Sequence, residues 1–416
     1  MYALSIPKGK RFNMKKIAIL TPGFLPVPAL KGGAIEVLIN DIIDSNEEHK
    51  KYNIDLYTCD AEGLDEYNYE NTNLIIVKSS KIKEFMCRCF NKFNKILNIK
   101  KRYNSYAIKL SKMIKLKKYD YILIENNMYV YEEVYNRYNY LQETKLIFHL
   151  HNNIGKNDNS KPEHLCKLIA RTAYKILVVS NYLKEEFYKL APNNNLEVLY
   201  NCVDLSIFDK KINDKKMELR KKFNLTENDF VYVYTGRIVQ IKGIIELING
   251  FKKMNLKNTN KNYKLLIVGG NLESFELDNF EKKVVLEAKD NKNIILKSFV
   301  MPNEIPQVLA ISDVVIIPSR CDEAFGVVAI EAMAMGKPVI ATKSGGIVEP
   351  LDETCAILIE NDSNIESSLC SAMKKMSNND EIINKFGNNG YKKVHSIKEF
   401  NKNYYFDNFV KKINDV

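Results

Sequence analysis

DVVIIPSRCDEAFGVVAIEAMAMGKPVIAT, residues 313–342, decides how this chain folds. DVVIIPS (313–319) and KPVIAT (337–342) are short, β-branched apolar runs, and between them a helix opens at Phe325-Gly326-Val327. Strands buried on both faces read as continuous apolar runs, and helices between them make the sheet parallel. Two acids break the pattern. Glu331 lies inside Val327–Met335, which otherwise reads as a buried helix, and Glu323 precedes the Phe-Gly pair. Eight residues along an α-helix separate two side chains by about 80°, so a shared helical face does not explain them. Glu323 belongs to the loop after the strand, and Glu331 lies one turn inside the helix. An ionised carboxylate among apolar neighbours is costly unless paired or hydrogen-bonded. Glu331 therefore calls either for a ligand with vicinal hydroxyls, such as a ribose, or for an internal ion pair.

The same alternation extends outward. KKIAILTPG (15–23), NIDLYTC (53–59), NLIIVKSS (73–80), YDYILIEN (119–126), TKLIFHLH (144–151) and KILVVS (175–180) read as strands in the first half. DFVYVYTGR (229–237), YKLLIVGG (263–270), NIILKSFV (293–300) and the two runs above read as strands in the second. Helical spacing intervenes, as in IEVLINDII (35–43). This is an α/β chain of two doubly wound, Rossmann-like domains. The expected division is an N-terminal extension at 1–13, a first domain at 14–210, a second at 211–395, and a C-terminal helix at 396–416 that packs back on the first.

Composition narrows the function. The 416 residues are 45% hydrophobic and 27% charged, as in globular proteins with sizeable cores. No run is long and apolar enough for a membrane span, and the N-terminus lacks a secretory signal's apolar core. Eight cysteines are scattered without a CxxC pair, so reduced thiols in the cytoplasm are expected and a structural zinc is not. The net charge of +11 is concentrated between Lys81 and Lys118, where 13 Lys/Arg face one acid, Glu84.

In open parallel sheets, ligands bind outside the carboxyl ends of the strands. There the first half places Gly32-Gly33 at a helix start, a turn that presents amides and a positive dipole end to an anion; a plain tight turn is the alternative. It is not the spaced GxGxxG of a nicotinamide site. The second half places Gly236-Arg237 at a strand end and Lys242 before a helix, a pair suited to clamping a diphosphate. The amides of Phe325, Gly326 and Val327 face the same edge. His151 closes its strand and either orients a polar substrate or serves the core.

These residues resemble the retaining glycosyltransferases of family four, which have the GT-B fold, with two Rossmann-like domains facing across a cleft. The likeness is carried by PALKGGAIEVLI, VLYNCVDLSIF, YTGRIVQIKGIIELI, LLIVGG and PSRCDEAFGVVAIEAMAMGKPVIATKSGGIVEPL, the last being the E-x7-E signature. The resemblance implies that Arg237 and Lys242 neutralise a nucleotide-sugar's diphosphate, Glu331 holds the ribose, and Glu323 meets the transferred sugar. It further implies that the Phe325, Gly326 and Val327 amides bind sugar hydroxyls and phosphate, while Gly33 approaches the diphosphate. His151 would touch the sugar, and backbone at Phe299 and Val300 would meet the base. Family members need no metal, and this chain has no DxD motif; no cofactor is expected beyond the co-substrate, for which a UDP-sugar is favoured. Cys202 and Cys355 stand where the family usually has glycine.

The basic stretch at 81–118 mixes Lys with Phe, Ile, Leu and Met at helical spacing, as an interfacial helix does. The expectation is attachment to the inner face of the cytoplasmic membrane and a lipid-linked glycan acceptor, with no nucleic acid. The alternatives are a soluble transferase on a small acceptor and a nucleotide-sugar epimerase of similar architecture.

Overall fold

The apolar runs form two parallel sheets. In the first, β1 (Lys15–Leu20), β2 (Tyr52–Cys59), β3 (Thr72–Val77), β4 (Tyr121–Glu125), β5 (Lys145–Leu150), β6 (Lys175–Val178) and β7 (Leu196–Val198) lie in the order β3-β2-β1-β4-β5-β6-β7. In the second, β8 (Asp229–Thr235), β9 (Asn262–Val268), β10 (Ile294–Lys297), β11 (Val314–Ile317), β12 (Val339–Thr342) and β13 (Ala356–Ile359) lie in the order β10-β9-β8-β11-β12-β13. β7 and β13, both edge strands, were not anticipated; each is too short for its apolar pattern to stand out. This computed structural model describes residues 14–78, 80–97, 103–154, 163–254, 261–274 and 276–414. The expected extension at 1–13 lies outside them.

The chain divides into two compact units, one built mainly from the residues before Leu150 and the other mainly from Leu196 onward. The helix Lys402–Ile413 belongs to the second unit. In each sheet the strand order reverses once, between β1 and β4 and between β8 and β11. These switch points are where a doubly wound sheet opens a crevice at its carboxyl ends. The second core shows why the strands are continuous runs: Tyr232, Leu265, Ile267, Val314 and Ile340 are buried together with Leu247, Phe251 and Met373 from the covering helices. Each such aliphatic side chain contributes about 1.5–3 kcal/mol on burial.

The basic stretch splits into two helices of opposite character. α1 (Ala34–His49) is followed by α2 (Lys81–Ile96) and α3 (Ser105–Ile114). α3, capped by the Asn104 side chain accepting from the Ala107 amide at 3.0 Å, buries Tyr106, Leu110 and Ile114. α2 does the reverse. Ile82, Phe85, Phe93 and Ile96 are 73%, 66%, 57% and 74% exposed, and Met86 and Phe90 are exposed with them. The expectation of one interfacial segment over 81–118 is therefore corrected. Of these two helices, α2 presents its apolar face to solvent, because the apolar residues of α3 are used by the core.

Candidate active site

The second switch point gathers most of the expected residues. Gly236 and Arg237 follow β8, Lys242 lies in the short turn after them, and Ser319 to Gly326 follow β11. The two loops are joined by backbone: the amides of Arg320 and Cys321 donate to the Ile241 carbonyl at 2.8 and 3.2 Å. Gly243 permits this approach. Its φ is 70°, and a Cβ there would lie 1.9 Å from the Pro318 carbonyl oxygen. Contact this close carries Lys242 to Glu323, whose Oε1 is 2.5 Å from the Lys242 ammonium. The Ser319 hydroxyl donates to the same carboxylate oxygen. Glu323 is also held by its own backbone, with its amide donating to the Ser344 carbonyl at 3.1 Å and its carbonyl accepting from the Gly346 amide at 2.7 Å.

Arg237 is exposed, and its carbonyl accepts from the Tyr234 hydroxyl at 2.8 Å. Burial pushes the Tyr234 hydroxyl up, the Glu323 charge adds to this, and the Arg237 charge opposes it. The Cys321 thiol is likewise raised by burial and then by Glu323, against Lys242 and Arg237. One carboxylate and two cations thus share one field. An exposed guanidinium beside a covered ammonium leaves positive charge facing out, as an anionic ligand requires.

Glu331 lies in the helix Val327–Ala334, between the fully buried Ile330 and Ala332. It is only partly covered, yet desolvation lifts its carboxyl to about 7. Among the described residues no ion pair or hydrogen bond reaches that carboxyl, so the internal ion pair considered for it finds no partner among them. Of the two acids, Glu323 is the paired one.

Phe325 is buried against Tyr200 and Phe400, with ring centroids 5.6 and 5.5 Å away, which leaves its amide as the group able to meet a ligand. Gly326 caps the helix that Val327 begins, where first-turn amides have no intrahelical acceptor. Phe299 follows β10 with 47% of its surface exposed, its amide donating to the Gly270 carbonyl at 2.8 Å; Val300 is half-buried beside it.

His151 follows β5 and is buried. In the first unit, Gly33 caps α1 with φ 102°, and the space where its Cβ would stand is filled by the Glu36 carboxylate, 2.1 Å away. Glu36 is buried, and its carboxyl is raised to about 7 by desolvation, lowered by its own amide and raised again by Glu125. Glu125 lies opposite His149 in the β4–β5 register and 3.2 Å from its Nδ1, both groups buried. The sequence reading passed over Glu36, Glu125, His149 and Ser319. The alternation His149-Leu150-His151 was the available signal for His149.

Residues 215–393 match the model of the glycosyl transferases group 1. The chain is 29% identical over 343 residues to the lipopolysaccharide 1,2-N-acetylglucosaminetransferase of Salmonella typhimurium, covering 81% of this chain and 82% of that protein. It is 31% identical over 235 residues to the capsular polysaccharide biosynthesis glycosyltransferase CapM of Staphylococcus aureus, covering 55% and 58%. Among solved structures it is similar to Anabaena HepE in complex with UDP-glucose, with a TM-score of 0.75 and 18% identity over 97% of this chain and 100% of that one. It is also similar to WaaG, a glycosyltransferase involved in lipopolysaccharide biosynthesis, with a TM-score of 0.68 and 16% identity over 96% and 99%. A stretch similar to the glycosyl transferases group 1 in the second sheet and its helices, on two parallel sheets of this architecture, gives the chain the GT-B fold.

Proposed function

We propose that this chain transfers a sugar from a nucleoside diphosphate, preferably UDP, to a hydroxyl of a lipid-linked glycan, with retention of anomeric configuration and without a metal. The observation that carries the reading is the meeting of Lys242, Arg237 and Glu323 at the β8/β11 switch point, with Glu331 unpaired in the adjoining helix. Two cations suit the diphosphate, Glu331 suits the ribose diol, and Glu323 suits the sugar. The amides of Phe325, Gly326 and Val327 serve sugar hydroxyls and a phosphate oxygen, and backbone at Phe299 and Val300 serves the base. Gly33 and His151 are proposed contacts to the diphosphate and the sugar. HepE was solved with UDP-glucose, which agrees with this class of donor.

Retention requires either a double displacement, with a carboxylate nucleophile, or attack from the face the leaving group vacates. Glu323 is assigned to the sugar's hydroxyls, so same-face substitution is the proposed course. The departing diphosphate, held by Arg237 and Lys242, takes the acceptor's proton. Rate enhancement then comes from electrostatic stabilisation and positioning. Screening UDP-, GDP- and dTDP-sugars for a rise in melting temperature identifies the donor, since a ligand of the native state stabilises it directly. Glu323→Ala is expected to lower turnover of that donor about 100-fold or more, the scale of losing a transition-state contact; unchanged turnover would overturn the site.

The acceptor reading rests on α2. Its apolar stripe faces solvent, and Lys83, Arg88 and Lys92 flank that stripe, all exposed. Basic side chains at an anionic bilayer each contribute about 1 kcal/mol, and the exposed aromatic and aliphatic side chains gain by leaving water. No described helix is long and apolar enough to cross a membrane. The names of the Salmonella and Staphylococcus relatives, lipopolysaccharide and capsule, agree with a surface-polysaccharide role. Co-sedimentation with anionic liposomes, lost when Lys83, Arg88 and Lys92 become Gln, is the expected result. No binding to such liposomes favours the soluble reading with a small acceptor.

A further inference from the structure

Lys242 carries one charge and has two anions to serve. Its ammonium is 2.5 Å from Glu323 Oε1, with 19% of the lysine and 13% of the glutamate side chain exposed. The same oxygen also accepts from the Ser319 hydroxyl. Ser319 is buried, and its carbonyl accepts from the Thr342 hydroxyl at 2.6 Å, which ties it to the end of β12. Glu323 therefore has one fixed donor and one on a long, rotatable stem.

Taking the site as the nucleotide-sugar site proposed above, we infer that Lys242 is a transferable cation. It neutralises Glu323 while the site is empty and passes to the donor's diphosphate on binding, leaving Ser319 to hold Glu323 toward the sugar. The chemistry favours such an exchange. A lysine ammonium is a compact charge with three donors on a flexible chain, and it re-aims without moving backbone. A largely covered carboxylate that loses its cation needs replacement hydrogen bonds. Sugar hydroxyls supply them; a nucleoside diphosphate without a sugar does not.

Two consequences follow from that asymmetry. A free nucleoside diphosphate must break the Lys242–Glu323 pair without compensation, so it is held less tightly than its phosphates alone would dictate, which aids product release. The intact donor recovers the loss at Glu323, so the acid discriminates substrate from product. Ser319 is a positioning residue in this scheme, acting through Glu323.

The test is calorimetric titration of the full chain with UDP, GDP, ADP and dTDP, and with the UDP-, GDP-, ADP- or dTDP-glucose matching whichever diphosphate binds. Glu323→Gln keeps the size and the Ser319 contact but removes the charge; Glu323→Ala provides the same comparison should Gln disturb the loop. The expected result is diphosphate binding about three- to ten-fold tighter than wild type, the scale of releasing one partly covered ion pair, with the advantage of nucleotide-sugar over diphosphate reduced. Ser319→Ala is expected to leave diphosphate affinity within about two-fold and to lower kcat, with recovery in Ser319→Thr. Wild type that binds a diphosphate while both Glu323 variants bind it equally or more weakly overturns the exchange. Wild type that binds none of the four overturns the donor-site reading, and the exchange with it.

Discussion

Gly33 leads α1 in the first unit, with the Glu36 carboxylate over it, and Gly243 leads the helix Ile244–Lys252 in the second, directly after the Lys242 that pairs with Glu323, each at a switch point. At the Gly243 turn the carboxylate is Glu323, and Lys242 stands with it. At Gly33 the carboxylate is Glu36, folded back over the turn, with Glu125 as the charge that acts on it. The acid beside a cation shares an ion pair. Among the described residues no cation pairs with the second acid, and burial lifts its carboxyl to about 7. Two similar turns thus manage an acid in opposite ways, and what differs is whether a base is in reach. The glycines are also required for different reasons, since one is pressed against a carbonyl and the other against movable side chains.

Substitution at the two turns sharpens the comparison. Gly243→Ala should have the largest effect. Its Cβ would overlap the Pro318 carbonyl, a rigid backbone atom, and φ 70° adds left-handed strain of roughly 1–2 kcal/mol. A total loss of about 3 kcal/mol or more is expected, with turnover down at least ten-fold because the loop carrying Lys242 is displaced from the donor's diphosphate; melting temperature and rate check it. Gly33→Ala is strained as well by its φ of 102°, but should cost less, about 2 kcal/mol, because no backbone atom stands in its way. The new Cβ meets Glu36 Oε2 and Leu25 Cδ1, at 2.1 and 2.9 Å, and both are side-chain ends that can yield. Equal losses at the two sites would break the distinction.

Glu36→Gln should have the smallest effect near pH 4.5 and a clear pH signature above it. The folded carboxyl sits near 7 against an ordinary 4.5, so below about 4.5 it is protonated in both states. As pH rises from 4.5 through 7 the unfolded chain ionises first, and the protein loses stability. Removing the acid should flatten that decline by about 1–3 kcal/mol, read from denaturation midpoints at pH 5, 6, 7 and 8. Glu331, also raised to about 7, leaves a residual slope of the same sign. An unchanged slope in Glu36→Gln would mean that Glu36 is already ionised in the fold.

Much of this arrangement was legible in the residues. Continuous β-branched runs marked the central strands of both sheets, because a strand covered on both faces has no polar side to show. Glycine, arginine and lysine at strand ends marked the second switch point, because parallel sheets leave their carboxyl edges open to ligands. Glu331 could be singled out because an acid inside an apolar helix demands an explanation. The edge strands Leu196–Val198 and Ala356–Ile359 lacked the length for a pattern to register.

What the sequence by itself determined was the fold class, the kind of chemistry and the residue types at the donor edge, all of which depend on local pattern. Only tertiary structure decided which acid is paired. Glu323 and Lys242 are 81 positions apart, and they meet because Gly243 lets one loop press against the Pro318 carbonyl of another. Tertiary structure likewise decided which part of the basic stretch faces water. α2 and α3 are both amphipathic, and the core took the apolar face of one and left the other exposed.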